Sequence, residues 1–165
     1  MKLISSIAVL VLSFGFFSCK DKGQSQFQTL ENAEWLKSDT LNYTFSVTDT
    51  LNRYDILIHI RNNIDYEFSN IFLVSTLDFP ASDRTLVDTL EYEMADLEGN
   101  WLGQSKGTVV ENLLLFREGV VFPNKGDYKM RVNHLMRKKG FAEGLSALSG
   151  ITDLGVEIKP ENNQQ

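Results

Sequence analysis

The sequence predicts an all-β protein, an antiparallel β-sandwich of about seven or eight strands in a jelly-roll or immunoglobulin-like arrangement. Three observations predict it. Apolar residues recur at every second position through much of the chain, the period of a half-buried strand and not of a helix. Residues that favour turns stand where each alternating run breaks. Only residues 141–148 have a composition suited to a short helical turn, and Gly144 weakens even that.

Taken in order, Tyr43, Phe45 and Val47 alternate with Thr44, Ser46 and Thr48, and Tyr54, Ile56, Ile58 and Ile60 alternate with Asp55, Leu57, His59 and Arg61. Arg61-Asn62-Asn63 supplies the turn that follows. Residues 70–77 form a less regular apolar run, suited to a more buried strand, which stops at Phe79-Pro80. Leu90, Tyr92 and Met94 alternate with Glu91, Glu93 and Ala95 ahead of the turn Glu98-Gly99-Asn100. Residues 109–116 make another buried run, closed by turn chemistry at Glu118-Gly119. After Pro123-Asn124-Lys125-Gly126, Tyr128, Met130, Val132 and His134 alternate with Lys129, Arg131, Asn133 and Leu135, and residues 155–158 supply a last strand. No internal repeat and no second domain is visible.

The N-terminus reads differently. Met1-Lys2 precedes an uninterrupted apolar and small stretch, residues 3–17, and then Ser18-Cys19 and the charged Lys20-Asp21-Lys22. A positive start, an apolar middle and a small residue before the cut are the three parts of a secretory signal, and the stretch is too short for a bilayer span. Cys19 stands directly at the cleavage point and is the single cysteine of the chain. Secreted domains use cysteines in pairs, whereas a bacterial lipoprotein needs one thiol at this place to receive diacylglycerol. The expected organisation is therefore a cleaved signal over residues 1–18, a lipidated Cys19 with a flexible polar tether over 19–28, one lipid-anchored β-sandwich domain over 29–160, and a disordered tail over 161–165.

Composition narrows the function further. A formal net charge of −6 offers no general attraction for nucleic acid or for anionic lipid faces. The two histidines, His59 and His134, have no second His or Cys at metal-ligand spacing, so each is expected to be satisfied or surface-facing. Glu91 and Glu93 share a strand face but Asp96 falls on the other, and a solvated outer face explains them better than a paired-carboxylate hydrolase. No enzymatic activity, metal or cofactor is expected beyond the covalent diacylglycerol and N-acyl lipid on Cys19. Lys129, Arg131, Arg137, Lys138 and Lys139 form the one basic concentration, the first two on the outward side of a strand and the others toward a turn. Lysines that solubilise a face and protect an edge account for such a group. Together with Trp101, which stands between Gly99 and Gly103, the same residues are also the candidate interaction surface.

Three separated segments carry a resemblance. They are Val87-Asp88-Thr89-Leu90-Glu91-Tyr92-Glu93-Met94-Ala95-Asp96 with Gly99-Asn100-Trp101-Leu102-Gly103; Arg117-Glu118-Gly119-Val120-Val121-Phe122-Pro123 with Gly126-Asp127-Tyr128; and Leu148-Ser149-Gly150-Ile151-Thr152-Asp153-Leu154-Gly155-Val156-Glu157-Ile158. With Ile60-Arg61-Asn62-Asn63, Tyr66 and the lipid signal, their order and spacing resemble the gliding-motility lipoprotein GldH family of the Bacteroidetes. The resemblance implies a cell-envelope lipoprotein required for gliding and tied to type IX secretion. It also implies an outer-membrane location, other gliding or secretion envelope proteins as partners, and no catalytic residues. A reading from a different class is a lipid-anchored module that binds a glycan or other ligand in a cleft lined by Trp101, Trp35 or Tyr92.

Overall fold

A computed structural model describes residues 23–161. Its strands are β1 (Gln24–Thr29), β2 (Glu34–Leu36), β3 (Leu41–Val47), β4 (Tyr54–Asn62), β5 (Asn70–Asp78), β6 (Thr85–Glu93), β7 (Gln104–Lys106), β8 (Val109–Val120), β9 (Gly126–His134), β10 (Ala147–Ser149) and β11 (Ile151–Pro160). Five strands form one sheet in the order β1-β11-β4-β8-β7, four form a second in the order β3-β9-β5-β6, and β10 pairs with β2. All pairings are antiparallel. The fold is thus the expected sandwich, and each of the seven alternating or buried runs read from the sequence falls on one of its long strands, with Met94 just past the end of β6.

Alternation dictates the packing. On β3 the inward Leu41, Tyr43, Phe45 and Val47 are buried while the residues between them are exposed. Tyr128, Met130 and Val132 of β9 repeat the pattern beside them. These side chains meet Ile56, Ile58 and Ile60 of β4 and Leu154, Val156 and Ile158 of β11 in one core. Each such aliphatic side chain withdrawn from water contributes about 1.5–3 kcal/mol. The Tyr43 hydroxyl crosses between the sheets and donates to the Leu154 carbonyl at 2.8 Å. Burial pushes the pKa of that phenol up, so it stays a neutral donor.

Several expectations are corrected. The segment read as a tether becomes, from Gln24 onward, the edge strand β1, fully registered against β11. Amide side chains explain why so polar a sequence is held. Gln24 donates to the Ser46 carbonyl at 2.7 Å and accepts from the Ser46 amide at 3.0 Å. Gln26 treats Thr44 in the same two-way manner, and Gln28 donates to the Asn42 carbonyl. Three glutamines therefore stand in for a missing neighbour along the open edge of β3 and close that seam of the sandwich. Phe27, on the other face of β1, covers Gly155 and lies with its ring centre 5.1 Å from that of His59 and 5.0 Å from the Arg61 guanidinium. Replacing all three glutamines by alanine is expected to lower stability by about 2 kcal/mol, because five exposed hydrogen bonds are lost together. A urea titration that showed no change would assign the seam no stabilising role.

Glu118-Gly119 is a bulge and not a turn: Tyr54 pairs with Val120 and Ile56 with Arg117, so two residues of β8 oppose the single Asp55. Gly119 takes φ +60°, and its amide donates to the Asp55 carboxylate at 3.1 Å. The helical turn expected over residues 141–148 is absent. Leu148 instead buries itself on the short strand β10 opposite Trp35. At the C-terminus Glu161 is still tied by its amide to the Arg53 carbonyl, and the rest of the expected tail, residues 162–165, lies outside the described residues.

Register gives the sandwich two distinct ends. Gln24, Ile158 and Ile56 align at one end, where β1 begins, β11 finishes and β4 starts. This is the lower end. At the upper end lie the last residues of β4 and β9, Gly150, the Asp96–Asn100 turn and the long connection between β9 and β10.

Candidate functional site

The structure separates the residues expected to form one interaction surface. Lys129 and Arg131 are exposed on the outer face of β9, in register with Asp78 and Thr76 of β5. Arg131 is engaged there, 3.0 Å from the Asp78 carboxylate. Arg137, Lys138 and Lys139 lie beyond the upper end of β9 in the β9–β10 connection, all exposed. Trp101 belongs to a neighbouring hairpin, bridged to Ala95, with its ring centre 6.2 Å from that of Tyr66. Asp96 nucleates that hairpin, its carboxylate accepting from the amides of Glu98 and Asn100 and from the Asn100 side chain. Those bonds hold the Asp96 carboxyl below its usual range. Cys19 and the signal lie outside the described residues.

The aromatic residues proposed for a glycan cleft are not gathered. Trp35 is completely buried, with its indole N–H donating to the Asp39 carbonyl at 3.0 Å, and Tyr92 is tied through its hydroxyl to the Leu115 carbonyl. Glu91 and Glu93 are exposed on β6. No group of three His, Cys, Asp or Glu side chains among the described residues could hold a metal ion.

What the β9–β10 connection does form is a continuous groove at the upper end. Its open part, about 930 Å³, runs between Glu67 and Phe68 on one side and Arg137, Lys138, Lys139 and Phe141 on the other. Phe72, Met136, Arg137 and Ala142 also line the adjoining inner cavity of about 350 Å³, which ends at Lys37, Leu145 and His134. The connection is pinned to this place by the Leu145 amide, which donates to the Met136 carbonyl at 2.8 Å.

His134 corrects a further expectation. It is only 2% exposed, its ring lies edge-on to Trp35 at 5.3 Å between centres, and neither ring nitrogen completes a hydrogen bond among the described residues. Burial lowers its pKa; the Trp35 backbone, too poorly placed for a full bond, opposes this, and nearby Lys37 lowers it further. Because the folded value lies below the ordinary 6.5, the unfolded chain takes up the proton first. This contribution to stability is complete above pH 6.5 and is lost as pH falls below it. Urea midpoints measured across that window should decline in the native protein and decline less in His134→Gln. The lowered carboxyl of Glu111, bonded to Lys106 and Arg61, acts only below its ordinary 4.5 and leaves the window clear.

Residues 23–158 match the family model described as GldH lipoprotein. The chain belongs to the GldH lipoprotein family. A relative described as "Gliding motility lipoprotein GldH homolog", from Christiangramia forsetii, is 36% identical over 163 residues, 99% of this chain and 100% of the relative. "Gliding motility lipoprotein GldH" of Flavobacterium johnsoniae is 32% identical over 162 residues, 98% of this chain and 100% of that protein. The GldH match begins at residue 23, one residue ahead of β1, so the family unit includes the glutamine strand that composition alone assigns to a tether. Lys37 and His134, which meet in the groove of this GldH domain, come from distant parts of the chain, and no local signal in the sequence joins them.

Proposed function

We propose that this protein is a lipoprotein component of the bacterial gliding apparatus, held on the outer membrane by acylated Cys19. It acts by contact with other envelope proteins, and it also serves the linked type IX secretion pathway. The observation that carries this reading is the match to gliding motility lipoproteins over 98–99% of this chain and 100% of each relative.

The fold is suited to such a role. Five residue steps separate Cys19 from Gln24, and extended chain covers about 3.5 Å per step, so the lower end of the sandwich sits within about 18 Å of the lipid. A stable pair of sheets so close to its anchor is a positioned module, with its upper end at the opposite end of the domain from the anchor.

Clean deletion of the gene tests the reading. Colonies should stop spreading and cells should stop displaying surface adhesins, and reintroduction of the gene should restore both. Normal spreading and secretion in the deletion strain would overturn it.

A further inference from the structure

We propose that the groove at the upper end binds an extended acidic segment of a partner protein, whose carboxylates meet Lys37, Arg137, Lys138 and Lys139 while an apolar side chain enters toward Phe72 and His134. The inference rests on the proposed function, since it identifies the kind of partner that the end opposite the anchor would meet.

Charge complementarity is the first argument. Four cations border one continuous groove on a chain of net charge −6, and none of them is in an ion pair among the described residues. Elsewhere Arg61, Lys106, Arg117 and Arg131 are matched to carboxylates, and the described cations that are not, Arg53, Arg84, Lys125, Lys129 and Lys159, do not line this groove. The acids near the groove are Glu67 on its wall, Asp65 beside it and Glu143 in the connection itself, three against four cations and none of them in an ion pair with those cations. An acidic segment would supply what the domain lacks.

His134 is the second, independent argument. A buried imidazole whose backbone neighbour, at Trp35, is too poorly placed to complete a hydrogen bond is costly, and this one packs against Trp35 at the edge of the core while also lining the inner cavity. Neutral imidazole offers one N–H, which a carboxylate or a peptide carbonyl accepts. Around it Phe72, Met136 and Leu145 provide the apolar walls that seat a side chain. A groove with cations along its rim, and with an imidazole whose nitrogens are shielded from solvent beneath its inner end, fits an extended peptide.

Anionic lipid shares the charge but not the placement. Gln24, which opens the first strand after the anchor, lies at the opposite end of strands nine or ten residues long, so the groove is about 30 Å from the end of the domain that the anchor holds.

The test uses the full-length lipidated protein in the bacterium that makes it, with a photo-crosslinking amino acid at Phe141 and, as a lower-end reference, at Val121. Mass spectrometry should map the Phe141 adduct to a segment of another protein carrying net negative charge. The combined Arg137→Glu, Lys138→Glu and Lys139→Glu protein, whose changes are all exposed, should keep its melting temperature and lose the adduct at least tenfold. Adducts to lipid, adducts to a segment without negative charge, no adduct at Phe141, or an undiminished yield after charge reversal would each overturn the inference. Failure here with a non-gliding deletion strain would leave the proposed function standing; a normally gliding deletion strain with the expected adduct would do the reverse.

Discussion

Gly150→Ala is expected to destabilise the domain by about 4 kcal/mol, enough to remove a large part of the stability of a single domain. Gly150 adopts φ +87°, a region that an L-residue enters at a cost of about 1–2 kcal/mol. An added Cβ would also lie 2.2 Å from the Tyr66 amide nitrogen and 2.5 Å from its Cα. Both obstacles are backbone, so no rotamer change relieves the overlap. Moving either strand aside would break the bonds that fix this corner, from the Gly150 amide to the Ala33 carbonyl at 2.8 Å and from the Asn63 amide to the Gly150 carbonyl at 2.9 Å. Tyr66 would move as well, and its hydroxyl bond to the Asn70 carbonyl and its contacts with Phe68 and Trp101 anchor the neighbouring loop. Urea unfolding with an unchanged slope would measure the loss, and a loss below about 1 kcal/mol would show that the corner yields far more easily than its geometry implies.

Cys19→Ala is expected to abolish incorporation of labelled palmitate and to release the domain from the membrane fraction or leave its signal uncleaved. The thiol is the single atom able to form the thioether, because no other cysteine exists in the chain. Two or more acyl chains, each methylene worth about 0.8 kcal/mol, hold a protein essentially permanently, and without them an acidic domain has no electrostatic substitute. No helix among the described residues is long and apolar enough to cross a membrane in its place. Palmitate label on the mutant protein would refute the assignment of Cys19.

The long strands were legible because each buries one face only, so alternation such as that of Tyr43, Phe45 and Val47 is written directly into local sequence. β1 was not legible, because what holds it is not an apolar stripe but Gln24, Gln26 and Gln28 reaching the backbone of a strand in the opposite sheet. The bulge at Gly119 carries the same residue types as a turn, and only the pairing of Tyr54 with Val120 distinguishes the two. Of the candidate surface, the exposure of Lys129 and Arg131 followed from strand parity, and that of the basic loop from its charge. The groove itself was invisible, since Lys37, Phe72 and His134 meet only through tertiary packing. His134 occupies an inward position of its strand, so the alternation already marked it for burial, but nothing local indicates that its nitrogens would lack partners.

If the proposed reading holds, this protein works by holding a β-sandwich at a membrane. The decisive measurement is colony spreading of a strain whose only copy carries Cys19→Ala, with a cleavable secretion signal and periplasmic abundance matched to the native protein. Colonies should fail to spread despite a correctly folded domain; full spreading with the soluble domain would show that the anchor is dispensable.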